Sequence, residues 1–259
     1  MKFAYFDCFS GISGDMILGA FVDLGVELEQ LQRGLEQLSL PGFRLEAAAV
    51  KRSGLSGTKV DVIVDDVPQP HRNLVDIADI IGRSDLKQSV KDLSLKIFNR
   101  LAEAEAKIHG TGINNIHFHE VGGLDSIADI VGASICLDLL GIEEVHCSNL
   151  NVGQGFVKCQ HGLLPVPAPA TLELLRGVPI YAYGPGKELL TPTGAAIITT
   201  ISGGFGPLPE MMVEKVGYGA GYHELELPNM LRILLGTCLP SNEGGKIKQH
   251  EHAAHCCTA

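Results

Sequence analysis

The 259-residue sequence has no tryptophan, and aromatic residues make up only 5% of it. Hydrophobic residues still reach 45%, so isoleucine, leucine, valine and alanine must fill the core of an ordinary globular protein. No apolar run approaches the ~18 residues that a membrane-spanning helix requires. We therefore expect no membrane partner.

Basic residues are outnumbered, 20 against 30 acidic ones, which gives a net charge of −10. The sequence has no basic stripe, and proteins that bind DNA or RNA need one to neutralise the phosphates. We therefore expect no nucleic-acid partner. An acidic protein attracts metal cations instead.

The seven cysteines are odd in number and lack the spacing of a disulfide framework. The first seven residues have the pattern of a strand and not that of a signal peptide. Both observations favour a reducing compartment, and we expect the protein to be cytoplasmic.

Strand and helix patterns alternate at both ends of the chain, and the middle predicts a hairpin followed by paired helices. A glycine-rich stretch, residues 151–162, is predicted as loop and turn. The pattern predicts an α+β or α/β fold with a mixed sheet and flanking helices. Strands are predicted at residues 2–6, 43–51, 58–65, 144–149, 212–216 and 232–235, and helices at 16–24, 28–38, 73–81, 87–108, 126–140, 170–175 and 195–201.

The domain organisation follows from breaks in this pattern. Residues 1–70 are predicted as an N-terminal α/β part, and residues 71–240 as a helical and mixed-sheet part. In an alternative division, the first sub-domain resumes after residue 110. Residues 241–259 have no apolar periodicity and are predicted as a flexible tail.

The most informative segment is residues 117–129, which holds two histidines and three carboxylates. If His117 and His119 lie on a strand, both imidazoles face one side. If a helix starts after Gly123, Asp125 and Asp129 share a face. Imidazoles and carboxylates together suit a divalent metal such as nickel. In the alternative interpretation, His119 and Asp125 only cap the helix.

A glycine-rich turn follows the first strand. Asp7 ends that strand, at the sheet edge where open α/β sheets hold their ligands. The turn leads into a helix at Asp15, where backbone amides favour a phosphate. Its spacing matches neither the P-loop nor the dinucleotide fingerprint, and Asp15 acting only as an N-cap is the favoured alternative.

Two later segments carry similar chemistry. Lys158 can pair with a substrate phosphate or carboxylate, and Cys159 with His161 offers a thiol and an imidazole. Thr191 and Thr193 place hydroxyls at a helix start, which again predicts an anion cradle. An ordinary surface loop and simple helix capping explain these two segments equally well.

The remaining histidines fall into two groups. His250, His252 and His255 lie near two cysteines in the tail, a composition typical of metal binding. A mobile tail cannot hold reacting atoms in place, so it is poor evidence of catalysis. His109 is predicted in the last turn of a helix. The sequence predicts structural roles for His71, His146 and His223.

Four runs resemble one known family: FDCFSGISGDM at residues 6–16, HFHEVG at 117–122, PVPAPAT at 165–171 and LTPTGA at 190–195. In this order they resemble the nickel-insertion proteins of lactate racemase cofactor maturation. The similarity runs from residue 3 to about residue 236.

The resemblance implies an enzyme that inserts nickel(II) into pyridinium-3,5-bisthiocarboxylic acid mononucleotide, with two nickel–sulfur bonds and one nickel–carbon bond. It also implies support by CTP and manganese, and the CTP belongs to a further C-terminal domain of the full-length form. This chain resembles the N-terminal portion, so we expect CTP and manganese only with that domain. The implied partners are the nucleotide substrate, the C-terminal domain and the lactate racemase apoprotein.

This framework assigns roles to the candidate residues. Loss of a ring proton requires a base, and Asp7 and Glu120 are the predicted catalytic groups. Labile metal donors are predicted before the substrate takes the nickel. The predicted metal ligands are His117, His119, Asp125, Asp129, His161 and the tail histidines His250, His252 and His255, with Glu120 beside them. The predicted nucleotide-binding residues are Ser10, Gly11, Gly14, Asp15, Lys158, Thr191 and Thr193.

Two other functions stay open at this point. A nickel storage or delivery protein without catalysis is compatible with the histidine-rich tail. A phosphate-ester enzyme with a magnesium ion on Asp7 and Asp15 is compatible with the glycine-rich turn.

Overall fold

The computed structural model describes residues 1–66, 70, 72–116, 118, 123–159 and 161–239. The described chain begins with a strand, two helices and a hairpin, and two helices and a short 3₁₀ turn at Ile113–Asn115 follow. These first elements are β1 (Phe3–Asp7), α1 (Gly14–Asp23), α2 (Leu28–Glu36), β2 (Phe43–Arg52), β3 (Leu55–Val64), α3 (Leu74–Arg83) and α4 (Gln88–His109).

The second half alternates short strands with helices and ends in two long strands. Its elements are α5 (Leu124–Leu140), β4 (Glu144–Cys147), β5 (Leu150–Asn151), β6 (Phe156–Cys159), β7 (Gly162–Pro165), α6 (Pro169–Leu174), β8 (Ile180–Tyr181), α7 (Pro192–Ile201), β9 (Gly204–Phe205), β10 (Met211–Ala220) and β11 (Met230–Cys238).

Seven strands form one mixed sheet in the order β2-β3-β10-β11-β1-β4-β9. The pairs β2–β3, β10–β11 and β11–β1 are antiparallel, and β3–β10, β1–β4 and β4–β9 are parallel. Two small sheets pair β5 with β8 and β6 with β7. The architecture confirms the predicted α+β class with a mixed sheet and flanking helices.

The side chains of β1 alternate between two apolar clusters, one on each face of this sheet, and the larger cluster contains the helices. Ala4 and Phe6 join the main core with α1, α4, α5 and α7, and Phe3 and Tyr5 join a smaller cluster on the other face. Helix α1 lies directly on β10. A Cβ atom added to Gly219 would lie 1.8 Å from the Met16 carbonyl oxygen, so glycine allows this approach.

The sequence patterns located the helices and the longer strands to within a few residues, and the two-residue strands β5, β8 and β9 were not predicted. Residues 151–162 are not only loop and turn, because β6 and β7 form an antiparallel hairpin there. The last predicted helix begins three residues early, at Pro192, because proline fits the first turn of a helix. The predicted tail, residues 241–259, lies outside the described residues. The division at residue 70 stays a prediction.

In the part of the chain that the structure describes, no helix has the length and apolar character needed to cross a membrane.

Candidate functional site

Three helix starts and one strand enclose a cavity of about 320 Å³, which we call the aspartate cavity. The starts of α1, α5 and α7 meet β3 there. Six of the residues predicted from sequence to bind metal or nucleotide line this cavity. Its lining consists of Ser13, Gly14, Asp15, Asp61, Val62, Asp125, Ser126, Asp129, Thr191, Pro192 and Thr193.

Asp125 and Asp129 reach the cavity from helix α5. Gly123 precedes the helix, which begins at Leu124, two residues before the start predicted from the apolar spacing. Residues four apart on a helix face the same side, and both carboxylates line the cavity. The shared helix face is therefore confirmed, and the predicted metal role of the two residues stays a prediction.

Asp129 is the most perturbed carboxyl group of the cavity. Burial raises its pKa well above the ordinary value, and the neighbouring charges of Asp15 and Asp125 raise it further. Its Oδ1 atom is shielded from solvent and makes no hydrogen bond to a described residue. Such an atom normally has a hydrogen-bond partner, and none of the described residues supplies one.

Gly14 allows the Asp129 carboxylate to occupy its position. A Cβ atom at residue 14 would lie 2.1 Å from Asp129 Oδ2, far inside any real contact. The predicted nucleotide-binding role of Gly14 stays a prediction. In the structure its contact is with a carboxylate of the cavity wall.

Asp15 lies in the first turn of α1 and is not its N-cap. The N-cap is Ser13, whose hydroxyl donates a hydrogen bond to the Asp15 carboxylate. Burial raises the pKa of Asp15, although the bonds from Ser13 and from the Met16 backbone oppose this effect. The capping interpretation is therefore wrong, because the carboxylate turns into the cavity.

The charge of the lining favours a cation. Asp15, Asp61, Asp125 and Asp129 contribute carboxylates, and no described residue of the lining is basic. Asp61 forms an ion pair with Lys59, which leaves the other three without such a pair among the described residues. A phosphate in this cavity would meet repulsion that a divalent cation would not. The predicted phosphate cradle stays untested.

The start of α7 is fixed to the turn before α1. Thr191 is the N-cap, and its Oγ1 accepts a hydrogen bond from the Gly194 backbone at 3.2 Å. The Thr191 backbone donates to the Ile12 carbonyl oxygen at 3.1 Å. These bonds place Thr191 and the buried Thr193 in the cavity wall. Capping thus belongs to Thr191 and not to Thr193.

Three predicted residues lie elsewhere. Asp7 accepts two hydrogen bonds from Arg232, at 3.1 and 2.5 Å, and does not line the aspartate cavity. Ser10 is buried, and Gly11 packs against the Leu189 carbonyl group. The structure therefore does not bring Asp7, Ser10 or Gly11 together with the aspartates, and their predicted roles stay predictions.

A second cavity of about 300 Å³, which we call the imidazole cavity, lies between α4 and the β6–β7 hairpin. His161 lines it, and Lys158, predicted beside it, is exposed and absent from its lining. The lining consists of Glu105, Ile108, His109, Val157, Cys159, His161, Leu164, Ala168, Pro169, Ala170, Glu188 and Pro192.

Sequence reasoning missed His109 as a candidate. Its ring lies against that of His161, with 4.9 Å between ring centroids and a 46° interplanar angle. Its Nε2 atom lies 3.5 Å from a Glu105 carboxylate oxygen one helical turn earlier. The Glu105–His109 spacing was the only local signal. Local sequence spacing could not show that the β6–β7 hairpin lies against α4, because this contact joins residues about fifty positions apart.

The other predicted ligands lie outside the described residues: His117, His119, Glu120, His250, His252 and His255. Within the described ranges, no group of three or more histidine, cysteine, aspartate or glutamate side chains is arranged to hold a metal ion. The described aspartates therefore do not form a metal site by themselves.

Comparison with known proteins gives a consistent result. A family model described as nickel insertion protein matches residues 4–257. The pyridinium-3,5-bisthiocarboxylic acid mononucleotide nickel insertion protein of Desulfitobacterium hafniense (strain DSM 10664 / DCB-2) is 56% identical over 244 residues, which cover 94% of this chain and 60% of the relative.

Two further relatives carry the name putative nickel insertion protein. The protein of Geobacter sp. (strain M21) is 52% identical over a match that covers 91% of this chain and 62% of the relative. The protein of Dictyoglomus thermophilum is 47% identical over a match that covers 93% of this chain and 62% of the relative. The chain thus spans about three fifths of the length of these relatives. No solved structure matches it. With the family model covering nearly all of its length, the chain belongs to the nickel insertion protein family.

Proposed function

We propose that this chain takes part in inserting nickel(II) into pyridinium-3,5-bisthiocarboxylic acid mononucleotide, and that the aspartate cavity holds the ion before transfer. The Desulfitobacterium hafniense relative bears that substrate in its name. Because the chain covers 60% of that relative, the activity of the longer protein is proposed for this chain and not transferred to it outright.

One observation carries the proposal. Asp129 Oδ1 is shielded from solvent and has no hydrogen-bond partner among the described residues, and the Asp15 and Asp125 carboxylates lie close enough to raise its pKa. Three carboxylates without a basic neighbour in the lining are mutually repulsive unless a proton or a cation lies between them. A divalent ion removes that repulsion.

The donor types suit transfer rather than storage. Carboxylate oxygens bind nickel less tightly than a closed set of thiolates, so a sulfur-rich substrate can take the ion from them. We propose that His117, His119 and Glu120, which precede α5 in the chain, complete the ligand set. His161 and the tail histidines would act in capture.

The insertion step balances as follows. Nickel(II) forms one bond to each of the two thiocarboxylate sulfurs and one to a ring carbon, and that carbon gives up its proton. Burial raises the pKa of the Asp129 carboxyl group, which makes its carboxylate a stronger base for that proton. Glu120 and Asp7 remain proposed as further proton-transfer groups.

The family resemblance supports several proposals beyond this chain. CTP and manganese would act only together with the C-terminal domain of longer relatives, and the lactate racemase apoprotein would receive the product. The five described cysteines are free, and free thiols are typical of a cytoplasmic protein.

Nickel titration of the metal-free protein tests the cavity. The starting protein carries His250→Ala, His252→Ala and His255→Ala, so the tail does not obscure the result. We expect one site in this protein, and Asp129→Asn should weaken it about tenfold or more, because a ligand of the ion is lost. Asp138→Asn is the matched control on the same helix, since Asp138 pairs with Lys87 at 2.6 Å.

Three results would count against the proposal. Nickel binding that survives Asp129→Asn would place the ion elsewhere. Complete loss of nickel binding with the tail substitutions alone would favour storage by the tail. Binding of magnesium but not nickel to the aspartate cavity would favour the phosphate-ester alternative.

A further inference from the structure

We propose that Lys59, Lys187 and His223 form a basic rim beside the aspartate cavity, and that this rim binds the anionic groups of the mononucleotide. The inference rests on the proposed function and adds to it the residues that hold the substrate. A phosphate and two thiocarboxylates outweigh the single positive charge of the pyridinium, so the substrate is an anion. It needs positive charge close to a cavity that is lined by four carboxylates.

Lys59 adjoins the cavity through Asp61. Its Nζ atom forms an ion pair with the carboxylate of Asp61, which lines the aspartate cavity. The same atom lies 5.5 Å from the centre of the Tyr222 ring, and Tyr222 is 78% exposed. The Lys59 ammonium group therefore lies between the cavity wall and the segment that contains Tyr222.

Strand β10 brings this segment to the start of α1. A Cβ atom on Gly219 would lie 1.8 Å from the Met16 carbonyl oxygen, so the end of β10 contacts the first turn of α1, which carries Asp15. Tyr222 and His223 follow this contact closely in the chain, and their rings lie 6.1 Å apart between centroids. His223 is thus placed at the end of α1 that faces the cavity.

Lys187 reaches the same end of α1 from a second segment. Leu190, which follows it closely, forms a parallel bridge with Ile12 in the turn before α1. Lys187 is exposed and forms no ion pair with a described residue. Burial lowers the pKa of His223, the charge of Lys187 lowers it further, and the charge of Asp15 opposes both effects. The His223 imidazole therefore lies within electrostatic range of both groups.

The acidic side chains near the rim are directed elsewhere or already paired. Asp61 pairs with Lys59, and Glu188 lines the imidazole cavity. Glu226 lines a separate surface cavity, and Glu224 is exposed and lines neither the imidazole nor the aspartate cavity. The rim thus offers positive charge to an anion next to a cavity that favours a cation. Opposite charges hold the two reactants side by side before bonds form.

Binding of an oxygen analogue to the metal-free full chain tests the rim. The probe is pyridinium-3,5-dicarboxylic acid mononucleotide, measured by isothermal titration calorimetry. We expect Lys187→Met to raise its Kd about two- to fivefold, the range for loss of one partly exposed ion pair. Lys59→Met is made together with Asp61→Asn, so that no unpaired carboxylate is left, and it should raise the Kd by a similar factor over Asp61→Asn alone.

Two kinds of control accompany these variants. Lys187→Arg keeps the charge and should keep the affinity within about twofold. Lys215→Met removes the same charge at the other end of α1, where the Lys215 Nζ atom donates to the Leu24 carbonyl oxygen at 3.3 Å, and it should leave the Kd unchanged.

A second measurement does not depend on substitutions. The imidazole proton resonances of His223 in the wild-type protein should shift on adding the probe. Those of His146, which pairs with Glu144 and packs on Phe3, should not.

The riboside of the probe, which lacks the phosphate, identifies the anionic group at the rim. An effect of Lys187→Met that disappears with the riboside assigns the rim to the phosphate. An effect of the same size with both compounds assigns it to the ring carboxylates, which stand for the thiocarboxylates of the substrate. Either result supports the rim.

Other outcomes overturn the rim and separate it from the proposed function. Unchanged affinity in both lysine variants, an equal loss in Lys215→Met, no shift of the His223 resonances, or no binding of the probe at millimolar concentration would each overturn it. Nickel binding that depends on Asp129 would then stand by itself. Lysine-dependent binding of the probe without any nickel binding would keep the rim and remove the proposed nickel site.

Discussion

At the residue scale, the chemistry of this protein centres on Asp129. Its carboxyl group is buried beside Asp15 and Asp125, and a Gly14 without a side chain makes room for it. A raised pKa means that the fold binds the proton more tightly than the unfolded chain does. Ionisation of Asp129 therefore destabilises the protein, which is the usual sign of a group kept for function.

Replacing Asp129 by asparagine should stabilise the metal-free protein. The folded pKa is raised, so wild-type stability is highest below the ordinary carboxyl pKa of about 4 and falls as the pH rises toward the folded value. At neutral pH we expect Asp129→Asn to unfold about 2–4 °C higher, the shift for about 1 kcal/mol in a protein of this size. Thermal unfolding followed by circular dichroism measures it.

Asp138→Asn serves as the control in the same measurement, since this residue is paired with Lys87 at the other end of α5. It should not raise the melting temperature. A lower melting temperature for Asp129→Asn across the whole pH range would show that the carboxylate stabilises the fold, contrary to the argument from its pKa.

At the scale of elements, the site depends on helix starts. Helices α1, α5 and α7 all begin at the aspartate cavity, although their first residues are separated by more than fifty positions in sequence. Of the three, only α7 has an N-cap side chain that accepts a hydrogen bond from a backbone amide of its first turn. The Ser13 hydroxyl donates its hydrogen bond to the Asp15 carboxylate instead, so no side chain caps the first backbone amides of α1.

Removing the cap of α7 should loosen the cavity wall. Thr191→Ala loses the bond from the Gly194 backbone to Oγ1, which costs about 1 kcal/mol of unfolding free energy. Thr191→Ser keeps an equivalent oxygen and should restore most of the loss. Urea denaturation of the three proteins gives the comparison. Equal stability of the alanine and serine variants would assign no capping role to the hydroxyl.

The periodicity of the sequence found most of these elements for physical reasons. The apolar spacing of α5 and the glycines on either side of it, Gly123 and Gly141, fix its position locally. The β6–β7 hairpin was missed because its residues are largely exposed, so the apolar alternation that marks a half-buried strand is absent.

At the scale of the whole molecule, α1 ties the site to the sheet. It lies on β3 and β10 through glycines that allow backbone contact. The main core continues from this helix through α5 and α4 to α7, so the three helices that begin at the aspartate cavity share one core. Movement of α1 would therefore change the aspartate cavity as a whole.

A methyl group between α1 and β10 should be strongly destabilising. Gly219→Ala would place a Cβ atom 1.8 Å from the Met16 carbonyl oxygen and 2.5 Å from the Ala20 backbone nitrogen. Both neighbours are backbone, so the helix must shift, at a cost of about 1–3 kcal/mol or more. Thermal unfolding checks the loss, and nickel titration should show weaker binding through the displaced Asp15.

Gly82→Ala is the matched control. It lies near the end of α3 with open space around it, so alanine should be neutral or stabilising by up to about 1 kcal/mol. Wild-type stability and nickel affinity in Gly219→Ala would show that α1 is not held in place by this contact.

The sequence by itself determined the helices and the longer strands, the acidic balance and the common face of Asp125 and Asp129, because these depend on composition or on neighbours close in the chain. Only the tertiary structure decided that Asp15 and Thr191 join those aspartates, that Asp7 pairs with Arg232 instead, and that His109 meets His161. These contacts link residues far apart in the chain, and packing of the sheet and helices sets them.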